Sequence, residues 1–145
     1  MIYKFFKRLF DVTCAMIGII GTSPLWVISI LLTELSDPGP LFYFANRLGK
    51  DNTKFKMWKF RSMRVARVVN EASLRPDQDR IFWWGKVMRR LKIDELPQLI
   101  NILNGTMSIV GPRPAAVDQV DITRGGVNAI VATVPCGLTS QSSLW

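Results

Sequence analysis

The 145-residue chain contains no histidine and has only two cysteines, Cys14 and Cys136. The absence of imidazole excludes a Ser-His triad, a histidine-ligated zinc site and a histidine general base. Two cysteines so far apart in sequence form neither a disulfide framework nor a metal-binding knuckle, which favours a reducing, cytoplasm-facing environment. Any catalysis must therefore use carboxylates, amines, hydroxyls or a bound metal ion.

Acidic residues are also scarce, because 11 Asp and Glu stand against 19 Lys and Arg, for a net charge of +8. Apolar residues make up 48% of the chain and charged residues 21%, which is typical of one folded domain rather than a disordered chain. The charge predicts a polyanionic partner. Nucleic acid, an anionic membrane surface and a phosphorylated substrate all satisfy it.

Residues 12–33 form a run without any charged residue, long enough for a membrane-spanning helix. Ser23 and Pro24 lie at its centre, and proline removes a backbone donor and clashes with the preceding turn. Basic residues flank both ends of the run, and basic flanks favour the cytoplasmic side. We therefore expect a re-entrant membrane helix, broken at Ser23-Pro24, that enters one leaflet and returns. A kinked transmembrane helix is the alternative.

The segment after this run predicts a small β-hairpin. Asp37-Pro38-Gly39-Pro40 ends the helix, and two aromatic-rich segments, 41–45 and 55–60, are separated by turn residues at 49–52. We expect residues 1–36 to be the membrane-inserted part and residues 37–145 to form a cytoplasmic domain. Basic residues alternate with aromatic ones in the second strand. Beside a membrane insert, this pattern favours lipid headgroups or a phosphorylated ligand over nucleic acid.

Residues 65–79 have the polar composition of a loop, and an amphipathic helix is expected after them. Ile81, Trp84, Met88 and Leu91 recur at helical spacing, with basic residues between them. The aromatic side chains of this helix either lie at the depth of lipid headgroups or pack inside the protein core. The pattern leaves both alternatives open.

Two adjacent carboxylates, Asp94 and Glu95, precede an apolar helical pattern, with Pro97 in its first turn. Asp94 is a suitable helix N-cap, and Pro97 is tolerated where its missing N–H needs no partner. A helix N-terminus also favours anions, so Asp94 beside a bound phosphate is a candidate nucleophile if a cation neutralises the repulsion. Mg²⁺ is the natural cation. Further on, Arg113 stands between two prolines, a rigid mount for a phosphate-binding guanidinium.

Taken together, these segments resemble the bacterial sugar transferases, or monotopic phosphoglycosyl transferases. The resemblance rests on motifs that run in order along the chain: "KRLFD" (7–11), "SP" (23–24), "PGPLF" (38–42), "KFRSM" (59–63), "DELPQL" (94–99) and "NILNGTMSIVGPRP" (101–114). It implies an α+β, mainly helical fold with a re-entrant membrane helix, a small β-hairpin and amphipathic interfacial helices around the active site. It also implies a location at the bacterial inner membrane, with the catalytic domain facing the cytoplasm.

The resemblance further implies a reaction. The family moves a phosphosugar from a UDP-sugar to polyprenyl phosphate. Asp94 would be the nucleophile, Asp94 and Glu95 would hold Mg²⁺, and Lys59, Arg61 and Arg113 would bind phosphate. The expected partners are the UDP-sugar, the polyprenyl phosphate and membrane lipid, with no nucleic acid.

Two segments depart from the family pattern. Thr106 stands where the family has an acid, and the final stretch "VPCGLTSQSSLW" (134–145) resembles the family's segment only loosely, with Cys136 and Ser140 as departures. We therefore expect the catalytic domain to be incomplete at its C-terminus. The alternative function is a catalytically inactive membrane-associated homologue that only binds lipid or ligand.

Overall fold

The computed structural model describes residues 2–65, 80–117 and 132–140. The predicted loop at 65–79 lies outside these ranges apart from its first residue. The described elements are, in order, α1 (Ile2–Ser36), β1 (Phe42–Leu48), a 3₁₀ turn (Lys50–Asn52), β2 (Lys54–Phe60), α2 (Trp83–Leu91), a second 3₁₀ turn (Ile93–Glu95), α3 (Gln98–Leu103), β3 (Ser108–Val110), β4 (Ala115–Ala116) and β5 (Gly137–Thr139). This is an α+β fold with one long N-terminal helix, as the sequence predicts.

Helix α1 runs from Ile2 to Ser36 with Pro24 inside it, so the predicted break at Ser23-Pro24 is not confirmed. A proline removes a single backbone donor, and the hydrogen bonds of the neighbouring turns can carry the helix past it, with or without a bend. A helix that continues on both sides of Pro24 is therefore compatible with the proline. Re-entry concerns the path of α1 through lipid and stays a prediction.

The surface of α1 is strongly apolar. Judged by length and composition alone, this helix is able to cross a membrane, and only 11% of its most apolar window is buried inside the protein. Its exposed side chains include Ile17, Ile20, Val27 and Leu31. A contiguous apolar surface of this size is typical of a membrane or protein contact.

The chain divides into two compact units. The first consists of Met1–Gly21, Phe44–Trp58 and Gln98–Trp145, and the second of Thr22–Tyr43 and Lys59–Pro97. Helix α1 contributes its N-terminal part to the first unit and its C-terminal part to the second. The expected division of the chain at residue 36 stays a prediction.

The core of the first unit is made of apolar side chains from α1, the hairpin, α3 and β3. Its buried members are Ala15, Ala45, Met57, Leu99, Ile102 and Met107. Strand β1 lies between β2 and β4 in a three-stranded sheet, which confirms the predicted hairpin. The pairing of β1 with β4 is antiparallel, with Leu48 opposite Ala115.

The described part of the C-terminal segment, which matches the family pattern only loosely, belongs to this unit. Strand β5 pairs in parallel with β3, with Ser108 opposite Gly137. Cys136 is buried, and its thiol donates to the carbonyl of Leu48 at 3.2 Å. The cysteine that interrupts the motif therefore packs as a small core side chain rather than as an exposed reactive thiol.

A charged clamp joins the start of α1 to the segment around β3. The carboxylate of Asp11 accepts hydrogen bonds from the Ser108 hydroxyl at 2.9 Å, from the Ile109 N–H at 3.0 Å and from Lys7 at 2.7 Å. Arg8 donates to the carbonyls of Ile102 and Leu103, the last residues of α3. The Ile102 carbonyl also accepts the Gly105 N–H at 3.0 Å, and the guanidinium adds a cap at this helix C-terminus. The motif "KRLFD" is thus a structural fastener in the first unit.

Asn101 fastens α3 to the free edge of β2. Its side-chain amide accepts from the Trp58 N–H and donates to the Lys56 carbonyl, each at 2.9 Å, as a neighbouring strand would. Thr106, where the family has an acid, exchanges hydrogen bonds of 3.1 Å with Asn101. A hydroxyl therefore suffices at this position to orient Asn101.

The second unit has an aromatic core. Its buried members are Phe60, Phe82, Trp84, Met88 and Ile93, packed against Trp26, Ile30 and Phe42. The structure shows for each tryptophan of α2 whether it packs inside the protein core. Trp84 is 9% exposed and belongs to the core, whereas Trp83 is 58% exposed. Helix α2 is therefore amphipathic, with one tryptophan on each side.

Substitution of Gly85 by alanine tests the packing of α2. A β-carbon at Gly85 would lie 2.1 Å from the backbone oxygen of Ser62, which cannot move aside as a side chain can. We expect Gly85→Ala to lower the free energy of unfolding by about 3 kcal/mol. Thermal denaturation in detergent measures this. Gly21→Ala is the matched control, because a β-carbon at Gly21 meets nothing within 4 Å. An equal loss of stability in both variants would contradict the packing described here.

Candidate active site

The acidic pair lies in the second 3₁₀ turn, between α2 and α3. Glu95 N–H donates to the Lys92 carbonyl at 3.2 Å, and Leu96 N–H donates to the Ile93 carbonyl at 3.1 Å. The predicted N-cap role of Asp94 is wrong, because Asp94 is inside this turn and helix α3 begins only at Gln98. The chain enters a helical conformation before Asp94, so the turn's backbone N–H groups bond to carbonyls rather than to the Asp94 side chain.

Asp94 is a buried acid with an unused oxygen. Its side chain is 8% exposed, and within the described ranges its Oδ1 accepts no hydrogen bond. Burial raises the pKa of Asp94, and the adjacent Glu95 carboxylate raises it further, while the charges of Lys59, Arg89 and Lys92 oppose the rise. A buried carboxylate oxygen without a donor is costly in a folded protein. Such an atom is poised to meet a ligand.

Glu95 is held by Lys59, the next-to-last residue of β2. The Lys59 Nζ lies 2.9 Å from Glu95 Oε1, and both side chains are partly buried. The structure therefore brings together three of the predicted site residues: Lys59, Asp94 and Glu95. The ammonium fixes one oxygen of Glu95.

Arg61 has a different environment from the one the sequence suggests. It is 4% exposed, its Nε donates to the Pro40 carbonyl at 2.5 Å, and its guanidinium binds both the carboxylate and the carbonyl of Asp37. It also lies 5.6 Å from the centre of the Phe82 ring. In this structure Arg61 anchors the turn after α1. Its predicted phosphate-binding role stays a prediction.

Arg113 is exposed in the loop between β3 and β4 of the first unit. Two hydrogen bonds hold this loop, from Gly111 N–H to the Thr139 carbonyl at 3.1 Å and from Gly137 N–H to the Pro112 carbonyl at 2.9 Å. Both bonds hold the loop before Arg113, and after it Ala115 and Ala116 pair with β1, so the arginine lies between two fastened segments. Binding of phosphate by Arg113 stays a prediction.

Two cations near the acidic pair are not among the site residues predicted from the sequence. Arg89 and Lys92 are exposed at the end of α2, and their charges act on Asp94. Their closeness in sequence could have indicated them, because both precede the acidic pair by five residues or fewer. The helical spacing instead explains Arg89 as one of the basic residues between the apolar positions of an amphipathic helix.

The acidic pair suits a hard divalent cation. Asp94 and Glu95 are adjacent, and one Asp94 oxygen lacks a partner in the described part of the chain. Among residues 2–65, 80–117 and 132–140 there is no cluster of three or more metal-binding side chains. Mg²⁺ is commonly held by one or two carboxylates, with substrate phosphates and water completing its shell. The donor set therefore fits Mg²⁺ delivered with a phosphorylated substrate.

Comparison with known families shows to which family the chain belongs. The sequence model of the bacterial sugar transferases matches residues 2–144, and the chain belongs to this family. It is 45% identical over 124 residues to the UDP-N-acetylgalactosamine-undecaprenyl-phosphate N-acetylgalactosaminephosphotransferase of Aeromonas hydrophila, covering 83% of this chain and 29% of that protein. It is 38% identical over 155 residues to the exopolysaccharide production protein ExoY of Sinorhizobium fredii. This match covers 96% of this chain and 67% of ExoY.

A further relative is the UDP-glucose:undecaprenyl-phosphate glucose-1-phosphate transferase of Escherichia coli. The identity is 42% over 117 residues, which cover 79% of this chain and 25% of the relative. The matched region thus spans from a quarter to two thirds of the length of these three proteins. Their shared region includes the segment that carries the acidic pair here.

Asp94→Asn tests whether the acid is held at a cost to the fold. Because the folded-state pKa of Asp94 is raised above its unfolded value, its ionisation costs stability at neutral pH. We expect the variant to be more stable by about 1 kcal/mol at neutral pH. The gain should shrink as the pH falls toward the unfolded-state pKa of about 3.9, where the wild-type acid is protonated. Denaturation at both pH values measures this, and a less stable variant at neutral pH would contradict it.

Proposed function

We propose that this protein is a phosphoglycosyl transferase that moves a phosphosugar from a UDP-sugar to undecaprenyl, or another polyprenyl, phosphate. The product would start a cell-surface glycan such as an exopolysaccharide, capsule, O-antigen or glycoprotein glycan. The observation that carries the proposal is the buried Oδ1 of Asp94, which has no partner among the described residues, beside the Lys59–Glu95 ion pair. Membership of the sugar transferase family supports it.

In the first half-reaction, a carboxylate oxygen of Asp94 attacks the β-phosphorus of the UDP-sugar. A bond forms between this oxygen and phosphorus, and the bond from that phosphorus to the bridging oxygen breaks. UMP leaves with the electron pair of the broken bond, and a phosphosugar remains on Asp94. A buried acid suits this attack, because in the described part of the chain no hydrogen bond to its Oδ1 has to be broken first.

In the second half-reaction, a phosphate oxygen of the polyprenyl phosphate attacks the same phosphorus. The bond to Asp94 breaks, and its electron pair returns to the carboxylate. The products are the polyprenyl diphosphate sugar and the free enzyme. UMP leaves before the polyprenyl phosphate reacts with the phosphosugar on Asp94, so the kinetics should be ping-pong.

Charge neutralisation is the main requirement, since a carboxylate attacks an anionic phosphate. Asp94 and Glu95 would hold Mg²⁺, which supplies positive charge to the phosphate oxygens when bound. Lys59 orients Glu95 through their ion pair. Arg113, exposed in a fastened loop, is proposed to bind a substrate phosphate as a bidentate donor.

The proposed location is the inner membrane of a bacterium, with α1 in the lipid and the rest of the chain on the cytoplasmic side. The support is the exposed apolar surface of α1, together with its basic flanks. The lipid acceptor named for two of the relatives, undecaprenyl phosphate, also resides in a membrane. The re-entrant path is proposed with it.

UMP release tests the proposed reaction. Purified protein in detergent is given Mg²⁺, a panel of UDP-sugars and undecaprenyl phosphate. We expect Asp94→Asn to lower UMP release by about 10³-fold or more, since the nucleophile is lost. Glu95→Gln should lower it by about 10- to 100-fold and raise the Mg²⁺ concentration needed.

Asp51→Asn, at an exposed acid of the turn between β1 and β2, is the matched control and should leave UMP release unchanged. Unchanged release by Asp94→Asn would disprove the assigned nucleophile. A wild-type protein that inserts into membranes but releases no UMP with any donor would favour the inactive homologue instead.

Thiol labelling tests the re-entrant path. Tyr3 and Leu35 lie near the two ends of α1 and are exposed. Single-cysteine variants Tyr3→Cys and Leu35→Cys are made with Cys14→Ala, while buried Cys136 is kept. In spheroplasts, a membrane-impermeant maleimide should label neither site, and both should react after lysis, because both flanks face the cytoplasm. Labelling of one site from outside would show that α1 crosses the membrane.

A further inference from the structure

Lys92 has a backbone conformation that its side chain does not favour. In the described part of the chain, three residues other than glycine have positive φ: Asp51 at 53°, Asn52 at 56° and Lys92 at 60°. Asp and Asn tolerate this left-handed region because their short side chains bond locally, whereas a lysine does not. Glycine is the usual residue where a helix ends in this conformation. A long cationic side chain is therefore kept where glycine would be less strained.

The position of Lys92 gives the charge a use. It ends α2 and leads into the turn that carries the acidic pair, and its carbonyl accepts the Glu95 N–H at 3.2 Å. Its side chain is exposed, and within residues 2–65, 80–117 and 132–140 it forms no ion pair. By contrast, Lys59 is already paired with Glu95. Lys92 is thus an uncommitted cation two residues from the proposed nucleophile.

We propose that Lys92 binds the diphosphate of the nucleotide-sugar donor. This inference rests on the proposed function and deepens it by naming a substrate-binding residue. Backbone strain is kept at functional sites when the side chain that it presents is needed. A flexible ammonium is a point-charge ligand for phosphate, and its exposure leaves it free to meet an incoming anion.

A purely structural role for Lys92 accounts less well for its conformation and exposure. A cation near a helix C-terminus stabilises the helix dipole, but Arg89 and Arg90 already lie in the last turn of α2. Glycine would also end the helix with less strain. A structural role therefore predicts no effect of Lys92 on ligand affinity.

The test uses the full chain in detergent and three variants: Lys92→Gly, Lys92→Arg and the control Lys50→Ala. Lys50 is an exposed lysine of the turn between β1 and β2. Calorimetry measures the affinity for UDP in the presence of Mg²⁺, and thermal denaturation gives the Tm. We expect Lys92→Gly to keep the wild-type Tm within about 3 °C, since relief of strain offsets the added freedom of the unfolded chain. Its Kd for UDP should rise about 10-fold, as expected for one lost charge-assisted contact.

Lys92→Arg should keep most of the UDP affinity, and Lys50→Ala should keep all of it. The inference is overturned if Lys92→Gly binds UDP as tightly as the wild type, if Lys50→Ala weakens binding equally, or if the wild type binds no UDP. Binding to phosphatidylglycerol vesicles separates the substrate from lipid headgroups. Loss of vesicle binding with unchanged UDP affinity would assign Lys92 to lipid and overturn the inference.

UMP release by the same proteins separates this inference from the proposed function. UMP release by the wild type with no effect of Lys92→Gly on KM or on UDP affinity sinks the role of Lys92 alone. Lys92-dependent UDP binding without UMP release for any donor sinks the transferase and supports the binding role.

Discussion

Burial of apolar side chains against α1 is the interaction on which both compact units depend. Ala15 belongs to the core of the first unit, while Trp26 and Ile30 pack against the aromatic core of the second. Apolar contacts alone do not fix where along a helix its partners pack. In the first unit the hydrogen bonds of Asp11 and Arg8 fix this alignment, because a buried carboxylate and a guanidinium bind their partners in only a few geometries. Hydrophobic burial thus supplies the stabilisation, and a few polar contacts set the alignment.

The second unit puts its polar groups to a different use. Ile93 and Leu96, on either side of the acidic pair, pack in its aromatic core, and burial acts against the ionised form of Asp94. Positive charges from Lys59, Arg89 and Lys92 offset part of this cost. The proposed Mg²⁺ would offset more of this cost. Such an arrangement belongs to binding and catalysis more than to folding.

Two features of this unit break local rules. Within the described residues Asp94 Oδ1 has no partner, and Lys92 has a left-handed backbone conformation where glycine is preferred. Each is unfavourable to the fold by itself, and they lie two residues apart. Where local preference and tertiary structure disagree in a folded protein, a functional site is the usual reason. By contrast, Arg61 satisfies its donors within the fold and shows no such conflict.

The α+β class was implied by the family resemblance of the sequence. The sequence by itself also determined the hairpin, the amphipathic helix α2 and the acidic pair. These follow from local periodicity, turn residues and charge, which act over a few residues. Only the tertiary structure decided that Asp94 is not an N-cap, that α1 is helical through Pro24 and that Arg61 anchors a turn. It alone paired Asp11 with Ser108, 97 residues away. Burial and hydrogen-bond partners are set by segments distant in the chain, and no local pattern records which distant group arrives.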